Sequence, residues 1–490
     1  MTRGRLFLFF TLAGLLELPC VSARAQAGPQ SANSGSSQQT SSSSGSTSVP
    51  PPQGSFSGSV PVKPVAGTLQ ISLQDAIDRG LKQNLGVLLS DYDTRAARGR
   101  RWQQLSALLP HVSAAPYLAV SQVNLAEFGF KFNFPGVTIP TIVGPFSYVD
   151  ARLNASQSIF DWQSVNRLRA AGQNVESAEY SYKDARDLVV LSVGFAYLQA
   201  IADNARIETA DAEVKTAQAL YDQASDQLKA GTSPAIDALR AQVELKTRQQ
   251  QLIQAKNDLA IQKLSVARVI GLPPGQQFEL TDQSPYEPFE VLTLEDALKR
   301  AYASRSDYQA ALADVRSAEF TMKAARAEHY PSLAVSGDYG VAGQHLTSSS
   351  HGVFDFRTTL TIPIFAGGTA RADSLQASAQ LDQSRAKLEN LRAQIDDDVQ
   401  TALLNLQSSS EEVAVTLSNI DLAEQSLTQS RDRFAAGVAD TVEVVQAEEA
   451  VASAHESYIS SLYSFNYAKI SLARALGMAE QGVKEFFKGK

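Results

Sequence analysis

Twice in this chain a helical pattern runs on for roughly 65–70 residues, against about 11–12 for a globular helix. Each time it stops at an Ala-Gly pair, Ala230-Gly231 and Ala436-Gly437. A helix of that length is on the order of 100 Å long and cannot pack around an ordinary globular core. Gly231 and Gly437 stand where a helix needs a left-handed residue after its C-cap, and a second helical pattern begins within a few residues. Ser233 is expected to cap one returning helix, with Pro234 at its first position, and Asp440 to cap the other. The stretches Gly231, Thr232, Ser233, Pro234 and Gly437, Val438, Ala439, Asp440 therefore read as the tips of helical hairpins, far from wherever the rest of the chain is anchored.

The tips belong to two copies of one unit. Leu73-Gln-Asp-Ala-Ile matches Leu294-Glu-Asp-Ala-Leu, Leu109-Pro110 matches Tyr330-Pro331, and Val266-Ala-Arg-Val-Ile-Gly271 matches Leu472-Ala-Arg-Ala-Leu-Gly477. The offset between copies changes once, between Pro110 and Phe160, so the first copy carries a longer insert there. Each copy reads as a short helix (73–83; 294–303), a medium helix (about 86–109; about 306–330), an alternating region, the long helix (about 161–229; about 369–435), the tip and a return helix (about 235–270; about 441–476). The medium and return helices together nearly match the long one, which predicts that they stack end to end beside it. Along the first long helix Val165, Leu168, Ala171, Val175, Ala178, Tyr182, Ala185, Leu188, Leu191, Phe195 and Leu198 predict a coiled-coil-like seam.

The alternating regions read as strands. Leu333, Val335, Tyr339 and Val341 alternate with Ala334, Ser336, Asp338 and Gly340, and Phe354, Phe356, Leu360 and Ile362 alternate with Asp355, Arg357, Thr359 and Thr361. The first copy is in phase: Val112, Ala114, Leu118 and Val120, then Val149, Ala151, Leu153 and Ile159 against Asp150, Arg152, Asn154 and Ser158. Strands of roughly 10–12 residues cross a bilayer when tilted, and charges such as Asp355 and Arg357 then belong on a water-lined face. Trp162, Tyr117, Tyr148 and Phe365 are candidates for the membrane interfaces, Trp162 foremost because it directly follows a strand.

The first residues carry an address. Arg3 and Arg5, an apolar stretch over 6–16 and Ala23-Arg24-Ala25 form a secretory signal with its cleavage site. Cys20 follows Glu17-Leu18-Pro19 rather than small residues, which argues against acylation, and it is the only cysteine. The mature chain then has neither disulfide nor thiolate chemistry. After the signal no stretch approaches the ~18 apolar residues of a spanning helix, so a membrane crossing must use strands. The expected organisation is a signal at 1–25, a disordered Ser/Pro/Gly-rich leader at 26–68, repeat 1 at 69–272 with its hairpin at about 111–160, a linker at 273–290, repeat 2 at 291–478 with its hairpin at about 332–363, and a tail at 479–490. A net charge of −8, with 19% charged residues, gives no reason to expect a nucleic-acid partner. His111, His329, His345, His351 and His455 fall at no metal-ligand or catalytic spacing, and no phosphate loop or nucleophile motif is present, so no enzyme, metal or cofactor is expected.

Two hairpins make four strands, and an open sheet cannot stand in lipid because its edges carry unpaired backbone groups. Two copies would close eight strands around a filled interior, whereas three close twelve with room for a channel, which suits polar inward faces. The doubled hairpin-and-long-helix layout, the Leu-x-Asp-Ala-Leu starts, the Leu-Pro and Tyr-Pro strand entries, and the glycine tips followed by Asp237 or Glu443 resemble the TolC-type outer-membrane efflux proteins. The resemblance covers nearly all of 69–478. It implies a mainly α fold with membrane β-hairpins: a two-repeat protomer whose homotrimer forms a 12-stranded β-barrel in outer-membrane lipid, continued by a 12-helix α-barrel across the periplasm. It also implies tips that dock on a periplasmic adaptor of an inner-membrane transporter, and a gate with acidic residues just after the second tip. Glu443 matches one gate position, and the next, one turn on, is Gln446. Asp237 and Glu443 lie in first helical turns, where the macrodipole favours any carboxylate. The reading from another class, a secreted coiled-coil scaffold or adhesin without a channel, is disfavoured by the strands.

Overall fold

The computed structural model describes residues 55–129, 140–282, 292–344 and 349–486. The signal at 1–25, the leader up to 54, part of the first hairpin loop, residues 283–290 of the linker, His345 and the last four residues lie outside the described residues. In chain order the elements are β1 (Leu69–Ile71), α1 (Leu73–Gln83), α2 (Leu85–Ser106), β2 (His111–Ala114), β3 (Tyr117–Asn124), β4 (Ile142–Phe160), α3 (Trp162–Lys229), α4 (Ala235–Ile270), β5 (Phe278–Leu280), α5 (Leu294–Ser304), α6 (Ser306–Arg326), β6 (Ser332–Gly343), β7 (His351–Thr361), α7 (Thr369–Ala435), α8 (Thr441–Ala475) and α9 (Ala479–Phe486).

The long helices α3 and α7 have 68 and 67 residues and organise everything else. Beside α3, the medium and return helices stack as expected. Thr94 of α2 donates to the Ala178 carbonyl at 3.2 Å, Gln262 of α4 donates to the Ala196 carbonyl at 2.9 Å, and the end of α4 comes to the α1–α2 junction, where Val60 and Val62 donate to the carbonyls of Gln83 and Gly271. The second copy repeats this with α6 and α8 beside α7. α3 also packs on the second stack, through Ser317 of α6 to the Ala170 carbonyl (3.1 Å) and Arg206 to Glu456 of α8 (2.9 Å). The order of columns is thus α2/α4, α3, α6/α8, α7.

This order explains the helix surfaces. α7 has neighbours on one side only and shows a single heptad stripe: Leu388, Ile395 and Ala402, interleaved with Val399, Leu406, Val413, Ile420, Leu427 and Phe434. α3 is covered on two sides, so the one-sided seam expected for it is too narrow. Leu188, Leu191 and Phe195 are only half-buried, while Val189, Val190, Val193 and Tyr197 are fully buried against Ile77, Ile270 and Ile470. Contrary to the expectation that no stretch approaches a spanning helix, α3 contains a window with the length and apolarity of one, but 67% of it is buried within the chain and it serves as core.

The four-stranded wall has the order β2/β3, β4, β6, β7, all antiparallel, with β2 and β3 acting as one strand interrupted at Ala115-Pro116. Register places Ala114, Leu153, Tyr339 and Phe354 in one row and Ser113, Asn154, Asp338 and Asp355 in the next. Successive rows face opposite sides. One face is therefore apolar and exposed, with Leu118, Leu153, Tyr339, Phe354 and Phe356 among its members, and the other is polar. All four helical connections leave from one end of the sheet, and the hairpin loops lie at the other. β3 and β4 stay paired out to Asn124 and Ile142 at that end.

Three boundary expectations are corrected. Residues 55–68, assigned to the leader by composition, pack on the body: Asn84 donates to the Phe56 carbonyl at 2.7 Å, Ser59 pairs with Asn84, and the Phe56 ring lies against Gly86. The linker contains β5, which pairs in parallel with β1 and so ties the junction of the copies back to the start of the first. The tail forms α9, whose Ala479 and Val483 enter the main core.

Candidate functional site

The hairpin tips are built by the same backbone device. At the first, Gly231 has φ +73°, its N–H donates to the Leu228 carbonyl at 3.0 Å, and Thr232 N–H reaches Gln227 at 3.0 Å. At the second, Gly437 has φ +70°, with Gly437 to Phe434 at 3.0 Å and Val438 to Arg433 at 2.9 Å. This is the paired closure that satisfies the last carbonyls of a helix. A Cβ at either glycine would meet nothing within 4 Å, so the requirement for glycine is conformational rather than steric.

The restarts differ. Asp440 caps α8 as expected, accepting from Glu443 N–H at 3.2 Å. At the first tip the helix begins one residue later than expected, with Pro234 in the cap position and Ser233 outside it. Ser233 instead donates to Asp237 Oδ2 at 2.9 Å. Proline has no side-chain acceptor, so the hydroxyl is used to fix the first-turn carboxylate.

The candidate carboxylates have different surroundings. Asp237 is 8% exposed, held by Ser233 and 3.6 Å from Arg240. Glu443 is half-exposed and pairs with Arg433 across the tip at 3.0 Å, and Gln446 is exposed. Thr232 and Val438 project outward, Val438 with 71% of its surface exposed, while Ala439 is half-buried. The two tips adjoin one another: Leu220, Ala238, Ala241, Phe434, Val444 and Ala447 form one apolar cluster behind them.

Sequence reasoning missed the ion pairs that lock the hairpins. Arg248 joins Glu244 (2.5 Å) and Glu213 (3.2 Å), and Arg431 joins buried Glu448 (3.1 Å). Burial pushes the Glu213 and Glu448 carboxyls up, against the pull of Arg248 and Arg431. The only sequence signal was a charged residue at a heptad core position, which Glu244 and Glu448 share.

At the other end, the polar face of the sheet carries an ion network. Arg152 donates to Asp150 at 2.9 Å and to Asp338 at 3.0 Å, and Tyr148 donates to Asp150 at 3.0 Å. Tyr148 and Tyr117, 5.9 Å apart, therefore share the polar face and are not lipid-belt residues. Trp162 and Phe365 are exposed beside the strand ends. Among the described residues no cluster of side chains has the make-up of a metal site.

The arrangement is an amphipathic membrane wall joined to long helical columns that end in paired tips. The chain matches the sequence profile described as Outer membrane efflux protein over residues 81–272 and 297–478. It is 23% identical to the alkaline protease secretion protein AprF of Pseudomonas aeruginosa, over 77% of this chain and 82% of that one. It is 25% identical to the cation efflux system protein CusC of Escherichia coli, over 66% and 72%. In fold it is similar to the outer membrane protein VceC of Vibrio cholerae (TM-score 0.69, 19% identity, 83% of this chain and 96% of that) and to the CmeC outer membrane channel of Campylobacter jejuni (TM-score 0.71, 15% identity, 84% and 88%). With the profile spanning both repeats, the chain belongs to the outer membrane efflux protein family.

Proposed function

We propose that three copies of this chain form the exit duct of a tripartite efflux or type I secretion system, carrying substrates from an inner-membrane transporter and its periplasmic adaptor to the exterior. The observation that carries this reading is the open wall. Among the described residues β2/β3 and β7 pair on one side only, yet the sheet has an exposed apolar face, and such an edge is not tolerated in lipid. The outermost columns present unpartnered apolar residues in the same sense: Leu239, Val243 and Ile253 on α4, and Leu404, Val415 and Leu422 on α7. Copies meeting along these edges close strands and columns together. The wall's polar face, with its Asp150-Arg152-Asp338 network, then lines water. The duct acts as a passage and has no catalytic role.

In this assembly the glycine tips stand at the periplasmic end and offer Gly231, Thr232, Ser233, Pro234, Gly437, Val438, Ala439 and Asp440 to the adaptor. Glu443, with Asp237 behind it and Gln446 one turn on, forms the acidic entrance. Cells lacking the gene should regain export when supplied with the native chain. A chain with Gly437→Val should insert in the outer membrane yet fail to export or to crosslink to an adaptor. Normal export by that variant would remove the tips from the account.

A further inference from the structure

Where α3 and α6 approach the sheet, four side chains form a cluster that the duct does not use. Trp162 follows the last residue of β4 by two positions and is 38% exposed. The Arg169 guanidinium lies 5.3 Å from the Trp162 ring and 6.0 Å from the Phe320 ring, and the Lys323 ammonium lies 4.9 Å from Phe320. Two cations thus share one aromatic face. Among the described residues neither cation has a carboxylate partner. Of the nearby carboxylates, Glu176 is held by Arg316 at 3.9 Å and Glu319 by Arg385 at 3.4 Å, Glu328 accepts from Gln163 at 2.8 Å, and Asp161 caps α3.

The height of the cluster is fixed by the chain. Arg169 is seven residues into α3 and Lys323 is nine before β6, so both lie within on the order of 10 Å of the strand ends. That is the headgroup layer of a bilayer whose hydrocarbon the exposed apolar strands cross. α3 and α6 belong to the two inner columns of the chain, so this face is not taken by a neighbouring copy. An exposed Trp162 and a half-buried Phe320 carrying cations at that level match the make-up of a membrane-interface girdle, and two cations without a carboxylate partner among the described residues seek an anion.

We infer that Trp162, Arg169, Phe320 and Lys323 form a docking site for the phosphate headgroup of an anionic phospholipid in the periplasmic leaflet. The rings rest at the acyl boundary and the two cations take the phosphate. The inference rests on the family's outer-membrane placement but not on export, so its test uses no transport readout.

The chain has two tryptophans, Trp102 and Trp162, so Trp102→Phe leaves Trp162 as the sole indole reporter. This variant is reconstituted in phosphatidylethanolamine vesicles containing a minor share of headgroup-spin-labelled phosphatidylglycerol or, separately, of a spin-labelled zwitterionic lipid. The anionic label should quench Trp162 more strongly at equal content. Adding Arg169→Gln and Lys323→Gln should weaken the preference about thirtyfold, from two surface charges. Arg316→Gln, about two turns farther from the membrane than Lys323 along α6, should leave it intact. Equal quenching by both labels, a preference that survives the double substitution, or displacement by millimolar inorganic phosphate would each overturn the inference. If the double variant does not insert, the comparison of labels in the Trp102→Phe background decides alone.

Discussion

At the scale of single residues, the tips depend on two backbone conformations that only glycine adopts freely. A β-branched side chain at φ +70° costs about 1–2 kcal/mol locally, although no atom stands in its way. Gly437→Val should therefore leave the fold and membrane insertion intact and reduce adaptor crosslinking. The proposed acidic entrance makes a separate prediction. Glu443→Gln with Asp237→Asn should reduce cation-over-anion selectivity in planar bilayers, because rings of carboxylates at a constriction concentrate cations. Most of the effect should come from Glu443, since Asp237 is buried and bonded to Ser233. An unchanged reversal potential would leave both residues as helix-start carboxylates. A third prediction concerns Asp187, whose carboxyl burial pushes up from 3.8 to about 6 despite the pull of Arg474. A raised folded-state pKa favours the protonated form, so its contribution is fully present below 3.8 and lost as the pH rises through about 6. Asp187→Asn should then raise stability at about pH 8, by on the order of 3 kcal/mol, and change little at about pH 4. A melting-temperature gain that is equal at both pH values would contradict this. The Arg433–Glu443 pair was not legible beforehand, because sequence spacing does not say which charges a turn brings together.

At the scale of elements, what was legible followed from local rules. The ends of α3 and α7 could be read because glycine tips stop them and strands start them, and strand phase could be read because one face is polar. What escaped was set by distant partners. Phe56 looks like part of a Ser-rich leader until Asn84 and Gly86 receive it, β5 is too short to declare itself without β1, and α9 is visible only through the core it enters. The α3 seam was drawn too narrow because nothing local says that a helix will be covered on two sides. Topology at this scale is testable. With every α-helix among the described residues at one end of the sheet and that end in the periplasm, an epitope inserted between 125 and 141 should be stained on intact cells. Staining that needs a permeabilised outer membrane would reverse the orientation.

At the scale of the whole molecule, the two repeats each supply one hairpin of wall and two helical columns, so among the described residues the wall has an unpaired edge on both sides. The apolar residues left on α4 and α7 and the unpaired β2/β3 and β7 edges ask for the same solution, which is more copies of the chain. The most direct measurement is the mass of the complex released intact from outer membranes by mild detergent. A mass of three chains, falling to one only when the barrel is unfolded by heat, is the predicted result; a monomer or dimer in the conducting preparation would contradict the account.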